Sequence, residues 1–329
     1  MKNIALTRPA RIVAEKLMGI KEGELVTIFT DVEANQNIAQ SMLGACYELG
    51  AEAVLVTITP REYAGVYVKG KLPSTLVSCL KTSTAAVACT ARSVLAAMTD
   101  IRQEMLRSGS RIMHMYSLSE EMALRTIPIN YEQLKSRVGK AVSLFPKSEK
   151  VRITSSGGTD ITYSLKNRPV MMSSDGYCHP GELDMIPSGY VVMSPVEGSA
   201  NGTVVLDGME SGLGIGLIRD PIVCEVKNGR VTDVRGGFEA QKLKKKIEAS
   251  DENANNYAEL GLGFNTGAWP TTGNMIEDER CAGNVDVGMG RSIHIGGKVE
   301  SNFHFDGMIT NATLTVDGQQ FLKDGVFQI

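Results

Sequence analysis

LVTIFTDVEANQNIAQSMLGACYELGAEAVLVTI, residues 25–58, carries two periodicities in one run. Leu25 to Thr30 is a short apolar-rich segment of strand length, and Ala53 to Ile58 is a second one. Between them, from Asn35 to Leu49, Ile38, Met42, Cys46 and Leu49 recur every three or four residues. That is the spacing of one buried helical face, and Gly50 stands where such a helix stops. Apolar strands joined by a one-sided helix read as part of a parallel sheet with helices covering both faces.

The same alternation extends outward. Pro9 to Met18 places Ile12, Val13, Leu17 and Met18 on one helical face; Thr75 to Lys81, Val94 to Met105 and Tyr131 to Ser143 are further helical stretches. Ala85 to Cys89 and Arg111 to Ser117 are strand-like. Right-handed crossovers then bring the carboxyl ends of the strands to one edge. No GxGxxG or GxxxxGK[ST] follows the first strand, so no nucleotide cradle is expected.

From about Val151 the texture changes. Glycine becomes dense and turn dipeptides recur, among them Asn201-Gly202, Asp207-Gly208, Asn228-Gly229 and Asp317-Gly318. These are hairpin signals. Thr203 to Leu206, Ile222 to Val226 and Val231 to Val234 read as meander strands, interrupted by one helix from Ala240 to Leu260. With a boundary near Lys147 to Lys150, the expected organisation is an α/β domain with a parallel sheet over 1–148. A β-rich α+β domain over 149–329 follows and carries the metal site.

Of 329 residues, 43% are apolar and 22% charged, enough to build a core and to exclude wholesale disorder. The 34 basic and 37 acidic residues give a net charge of -3, and the densest basic cluster, Lys244-Lys245-Lys246, reads as a solvated helix face. Neither a nucleic-acid nor an anionic-membrane partner is expected. Six scattered cysteines without a CxxC pair read as reduced thiols. No run of eighteen apolar residues exists, and Met1 to Ile4 does not open a secretion signal, so a cytoplasmic location is expected.

Ionisable residues concentrate in the last quarter. In His304-Phe305-Asp306 the side-chain period of a strand puts an imidazole and a carboxylate on one face, where they can share a metal. Glu259 would close the helix just described, and a carboxylate at a helix C-terminus calls for a cation. Asp286 lies among Val285, Val287 and Met289, and is either solvated or a paired ligand. His294 follows the Gly290 turn and could face the same cavity; His179 sits in a polar loop, and His114 reads as structural. Trp269 is a substrate-side wall or simple packing, and Met171, Met172, Met185 and Met193 read as core filling.

An ordered set of segments resembles the aminopeptidase T-like superfamily of metallo-aminopeptidases. It comprises Ile20 to Glu24, Tyr47 to Ala51, Ile186 to Thr203, Ala258 to Gly261, Gly283 to Gly290 and Asn302 to Asp306, nearly the length of the chain. That superfamily also contains 2,5-dihydroxypyridine 5,6-dioxygenases, which use a related pocket for a single iron, so the resemblance leaves the reaction open. It implies metal ligation by Glu259 and by His304 with Asp306, and a homodimer. Two positions depart from the peptidase pattern: Tyr190 stands where a glutamate is expected, and Asp286 where a histidine is.

The remaining set, Glu259, Asp286, His304 and Asp306, is oxygen-rich and suits one divalent ion, Mn²⁺ ahead of Zn²⁺ or Fe²⁺. The expected chemistry is hydrolysis of a small catabolite, such as a cyclic amide or cyclic 1,3-diketone, by metal-activated water. Glu182 or an unbound ligand carboxylate would shuttle the proton and Tyr190 would hydrogen-bond the oxyanion, with His179, Trp269 and His294 around the substrate. The alternatives are an aminopeptidase and an Fe(II) ring-cleaving dioxygenase. The usual oxygen-activating set would need a second imidazole from His179 or His294.

Overall fold

A computed structural model describes residues 2–59, 63–64, 67–68 and 70–329. The chain forms two compact units, Met1–Asn130 with Gly176–Ser188, and Tyr131–Asp175 with Gly189–Ile329. The sequence-based division at 148/149 falls inside the second unit, which opens with a helix that packs on its strands.

In the first unit, β1 (Leu25–Asp31), β2 (Glu52–Ile58), β3 (Ala85–Cys89), β4 (Arg111–His114) and β5 (Leu183–Met185) form a parallel sheet in the order β2-β1-β3-β4-β5. The helices are α1 (Lys2–Arg11, continuing as a π-turn over Ile12–Leu17), α2 (Gln36–Glu48), α3 (Ser74–Thr82), α4 (Thr99–Arg107) and α5 (Glu120–Thr126). Strands β3 and β4 are buried at every position; β3 is apolar throughout, while β4 also buries Arg111 and His114 at its two ends. Phe29 and Ile112 of the sheet pack against Leu76 and Leu80 of α3 and Ile101 of α4. Asn35 caps α2 by accepting the Asn37 N–H. The expected strand to Ser117 ends at His114, and the helix expected from Val94 begins at Thr99.

The chain leaves β1 for β2 on one side and then returns to β3 on the other, so the carboxyl ends of β1 and β3 lie where the direction of winding reverses. Asp31 ties this point together. Its Oδ1 accepts the Glu33 and Ala34 N–H groups, each at 2.9 Å, and its Oδ2 accepts Ala91 N–H at 2.8 Å, just beyond β3.

The second unit contains α6 (Tyr131–Leu144), α7 (Phe238–Glu248), α8 (Met275–Asp278) and two antiparallel sheets. One has eight strands, from 151–163, 201–206, 222–235 and 313–327. The other has seven, with β6 (Tyr190–Met193), β7 (Tyr257–Gly263), β8 (Val285–Gly290) and β9 (His304–Ile309) adjacent at its centre. The helix expected over Ala240–Leu260 ends at Glu248 instead, and β7 begins at Tyr257. Between them Asp251 and three asparagines make a turn, and Gly261 and Gly263 suit a strand between two neighbours better than a helix. Glu259 therefore lies in mid-strand, and the helix-dipole argument for it does not apply. Among the described residues, no helix is long and apolar enough to cross a membrane.

Because Asp31 satisfies three backbone N–H groups, Asp31→Ala should lower stability by about 3 kcal/mol. Urea denaturation followed by circular dichroism would read this, and an unchanged midpoint would show those amides to be satisfied otherwise.

Candidate metal centre

Four neighbouring strands build the site. Tyr190 opens β6, Glu259 lies in β7, Asp286 in β8, and His304 and Asp306 in β9. Antiparallel register sets Glu259 opposite Gly288, and Gly288 opposite Asp306. The two carboxylates thus flank a residue that has no side chain. A Cβ at Gly288 would stand 2.6 Å from the Glu259 Cβ and 3.3 Å from Asp306 Oδ1. Gly261, paired with Asp286, leaves similar room for Tyr190, whose hydroxyl a Cβ there would strike.

The Tyr190 hydroxyl lies 2.8 Å from Asp286 Oδ2 and 3.1 Å from Glu259 Oε1, and its single proton serves one of them at a time. His304 Nδ1 is 3.0 Å from the Arg291 carbonyl, an acceptor, so Nδ1 carries a hydrogen. Its Nε2 faces the acids, 3.0 Å from Asp306 Oδ1 and 3.5 Å from Glu259 Oε2. His294, on the short turn Ile293–Ile295, meets the His304 ring edge-on at 4.6 Å between centroids. Glu259, His294 and His304 each offer a ligand-type atom within 4.8 Å of the others, and so do Glu259, Asp286 and Asp306.

Burial raises the carboxyl of Glu259 above its ordinary range, and Asp306 adds to the shift. Burial lifts Asp286 further still, helped by the charges of Asp306, Glu259 and Glu279. For His304, burial opposes the charge, yet Asp306 and Glu259 together outweigh it and hold the imidazole above its usual range. Although His294 reaches solvent, crowding of its ring, then the charges of His304 and Arg291, lowers it to about 4. Its lone pair is accordingly free at neutral pH. Asp286 Oδ1 is buried without a hydrogen bond among the described residues, and Asp306 Oδ1 has only the His304 Nε2 contact. Buried carboxylates with open oxygens, beside a neutral imidazole, are the donor set of a divalent cation.

Sequence reasoning missed the layer behind this cluster. Arg280 is 1% exposed, pairs with the buried Glu279, and sets its guanidinium 5.3 Å from the centroid of the Tyr190 ring. Burial pushes Glu279 up to about 7 against the pull of Arg280. The available signal was an arginine directly after three acids. Glu277 and Asp278 serve the preceding loop: Glu277 accepts the Trp269 N–H at 2.8 Å, and Asp278 accepts Thr272 and Gly273 N–H.

His294 joins the cluster, as do Tyr190, Glu259, Asp286, His304 and Asp306. The other expected residues are described within their own units. His179 and Glu182 are exposed in the first unit, where the Glu182 carboxylate accepts the His179 N–H at 2.9 Å and so closes its own turn. Trp269 is 54% exposed on the loop described above.

The sequence profile of the 2,5-dihydroxypyridine 5,6-dioxygenase family (NicX) matches residues 13–329. A 2,5-dihydroxypyridine 5,6-dioxygenase of Pseudomonas putida KT2440 is 28% identical over 234 residues, which cover 68% of this chain and 66% of that protein, just under two thirds of its length. The solved structure of 2,5-dihydroxypyridine dioxygenase from Pseudomonas putida KT2440 shares the fold, with a TM-score of 0.80 and 22% identity over 99% of this chain and 97% of its own. Wild-type AmpT from Thermus thermophilus shares it at a TM-score of 0.67 and 16% identity, over 100% of both chains. The profile and the curated relative overturn the expectation of a hydrolase. That expectation came from an oxygen-rich ligand set in which His294 was not counted, and the preference for Mn²⁺ rested on the same omission.

Two consequences can be measured on the purified protein. Tyr190→Phe keeps the ring but frees two carboxylates, and should weaken Fe²⁺ or Zn²⁺ binding about 10–100-fold by calorimetry; unchanged affinity would remove Tyr190 from the site. With raised folded-state pKa values, Glu259, Asp286 and Glu279 bind more protons folded than unfolded, so the metal-free protein loses stability as pH rises, through about 7 for Glu279. His304, also raised, loses its contribution in the same direction. Since metal binding favours the deprotonated ligands, the Tm gap between metal-loaded and chelator-treated protein should widen from about pH 5 to pH 8. A gap independent of pH would refute this account.

Proposed function

The chain belongs to the 2,5-dihydroxypyridine 5,6-dioxygenase family, and on that premise we propose that it is a mononuclear Fe(II) dioxygenase opening the ring of a small hydroxylated pyridine or aromatic. The observation that carries this reading is the approach of His294 to Glu259 and His304. Two imidazoles and a carboxylate are the set suited to ferrous iron that must keep positions open for other ligands. We assign Glu259, His294 and His304 to hold the ion, with Asp306 as a further carboxylate beside His304.

When bound, ferrous iron supplies the one-electron chemistry that lets dioxygen react with an electron-rich ring. The chain's own groups do the rest. The Arg291 carbonyl fixes the hydrogen of His304 on Nδ1 and leaves Nε2 to the ion. Tyr190 orients Glu259 and Asp286, and Gly288 keeps the space between Glu259 and Asp306 open. Asp286 Oδ1, buried and without a partner among the described residues, is placed to accept a proton from a ring hydroxyl. Both atoms of dioxygen enter the product as one ring carbon–carbon bond breaks, so no further reductant is consumed.

Anaerobically Fe²⁺-loaded protein, given 2,5-dihydroxypyridine and a panel of other dihydroxylated rings, should consume one O₂ per ring opened. With ¹⁸O₂ it should place two labelled atoms in the product. Turnover without oxygen uptake would overturn the proposal. His294→Ala should abolish turnover and weaken Fe²⁺ binding, with circular dichroism unchanged.

A further inference from the structure

A cavity of about 330 Å³ opens in the first unit, at the carboxyl ends of β1 and β3. This is the place where the order β2-β1-β3-β4-β5 reverses its winding, and open parallel sheets leave a crevice there because the connections from adjacent strands depart to opposite faces. Ile38, Cys89, Met115 and Thr90 line it with buried side chains, and Asn35 and Ser119 lie nearer solvent. None of these residues takes part in the metal centre.

Its polar groups are specific in what they offer. The Thr90 hydroxyl donates to the Arg92 carbonyl at 2.7 Å, so its lone pairs remain to accept. The Ser119 hydroxyl accepts the Met122 N–H at 3.1 Å, so its proton remains to donate. An anion is disfavoured. The amides of Glu33, Ala34 and Ala91, which could have cradled a phosphate, are already taken by the Asp31 carboxylate. Glu33 adds a second negative charge at the mouth, balanced by Arg92 at 2.5 Å. The Cys89 thiol is pushed up to about 12 by burial and serves as an apolar surface, not a nucleophile.

We propose that this cavity is a second small-molecule site, for an uncharged aromatic or heteroaromatic ring bearing a hydrogen-bond donor and acceptor on one edge, such as an amide or lactam. An apolar lining that also offers an acceptor at Thr90 and a donor at Ser119 suits such a ligand. The internal carboxylate excludes the phosphorylated ligands usual at this position of the fold.

The test uses the full chain labelled with ¹³C at methionine methyls, the Met115 signal being identified through Met115→Leu. Benzamide should shift the Met115 methyl saturably, while benzoate, of the same shape but charged, should bind about tenfold more weakly or worse. Inorganic phosphate should leave the signal unmoved. Ala34→Phe, which narrows the mouth, should remove the benzamide response without changing the circular dichroism; if that variant does not fold, the contrast among benzamide, benzoate and phosphate decides alone. A Met115 methyl indifferent to benzamide at tens of millimolar, or moved equally by benzoate or phosphate, would overturn the proposal.

Discussion

Three carboxylates buried side by side repel one another, and the central strands of the second unit are arranged around that repulsion. Glu259, Asp286 and Asp306 are each 5% exposed or less, and burial removes the water that would otherwise screen them. The protein answers in part with a proton donor, Tyr190, and in part with His304, whose imidazole is drawn toward its charged form by the same acids. Asp286 Oδ1 still lacks a partner among the described residues. A divalent cation is the species that turns the repulsion into attraction, because each acid then gains more from the ion than it loses to its neighbours.

Strand register makes the gathering possible, and glycine makes it fit. Glu259, Gly288 and Asp306 form one row across three strands, so their side chains share a face without any loop having to bring them together. With a side chain at Gly288 the acids would be pushed apart. The buried Glu279–Arg280 pair lies behind Tyr190, where a cation near the ring face limits the cost of a phenol crowded by anions. A rigid sheet thus fixes the ligands, while His294 comes from a short turn, the one contributor whose backbone lies outside the strands.

Much of this was legible in the sequence, for identifiable reasons. Residues 25–58 announced a strand, a helix and a strand because the period changes sharply within the run, and β1, α2 and β2 follow it closely. His304 and Asp306 were readable as a pair since strand periodicity alone puts them on one face. Glu259 was singled out for a wrong reason: the apolar spacing of α7 runs on past Glu248, and only the turn at 251–256 ends it. Buried Arg280 carries no periodic signal, and only the strand register places Gly261 and Gly288 beside acids. Glu182 seemed a candidate because polar loops often carry function, but its carboxylate is occupied by its own turn.

Tyr190 also bears on how many ions such a site can hold. A second cation needs carboxylate oxygens that bridge or extend beyond the first, and a phenol at Tyr190 contributes none at neutral pH. Burial and the adjacent acids drive its pKa well above the ordinary value, so the hydroxyl stays protonated and acts as donor. It therefore orients Glu259 and Asp286 for one ion while occupying one of their oxygens at a time with a proton that a second ion would have to displace. Where a glutamate would extend the negative field outward, tyrosine closes it. On the proposed assignment, this favours one ion held from the His294, His304 and Glu259 side, with Asp286 left to manage protons instead of a second metal.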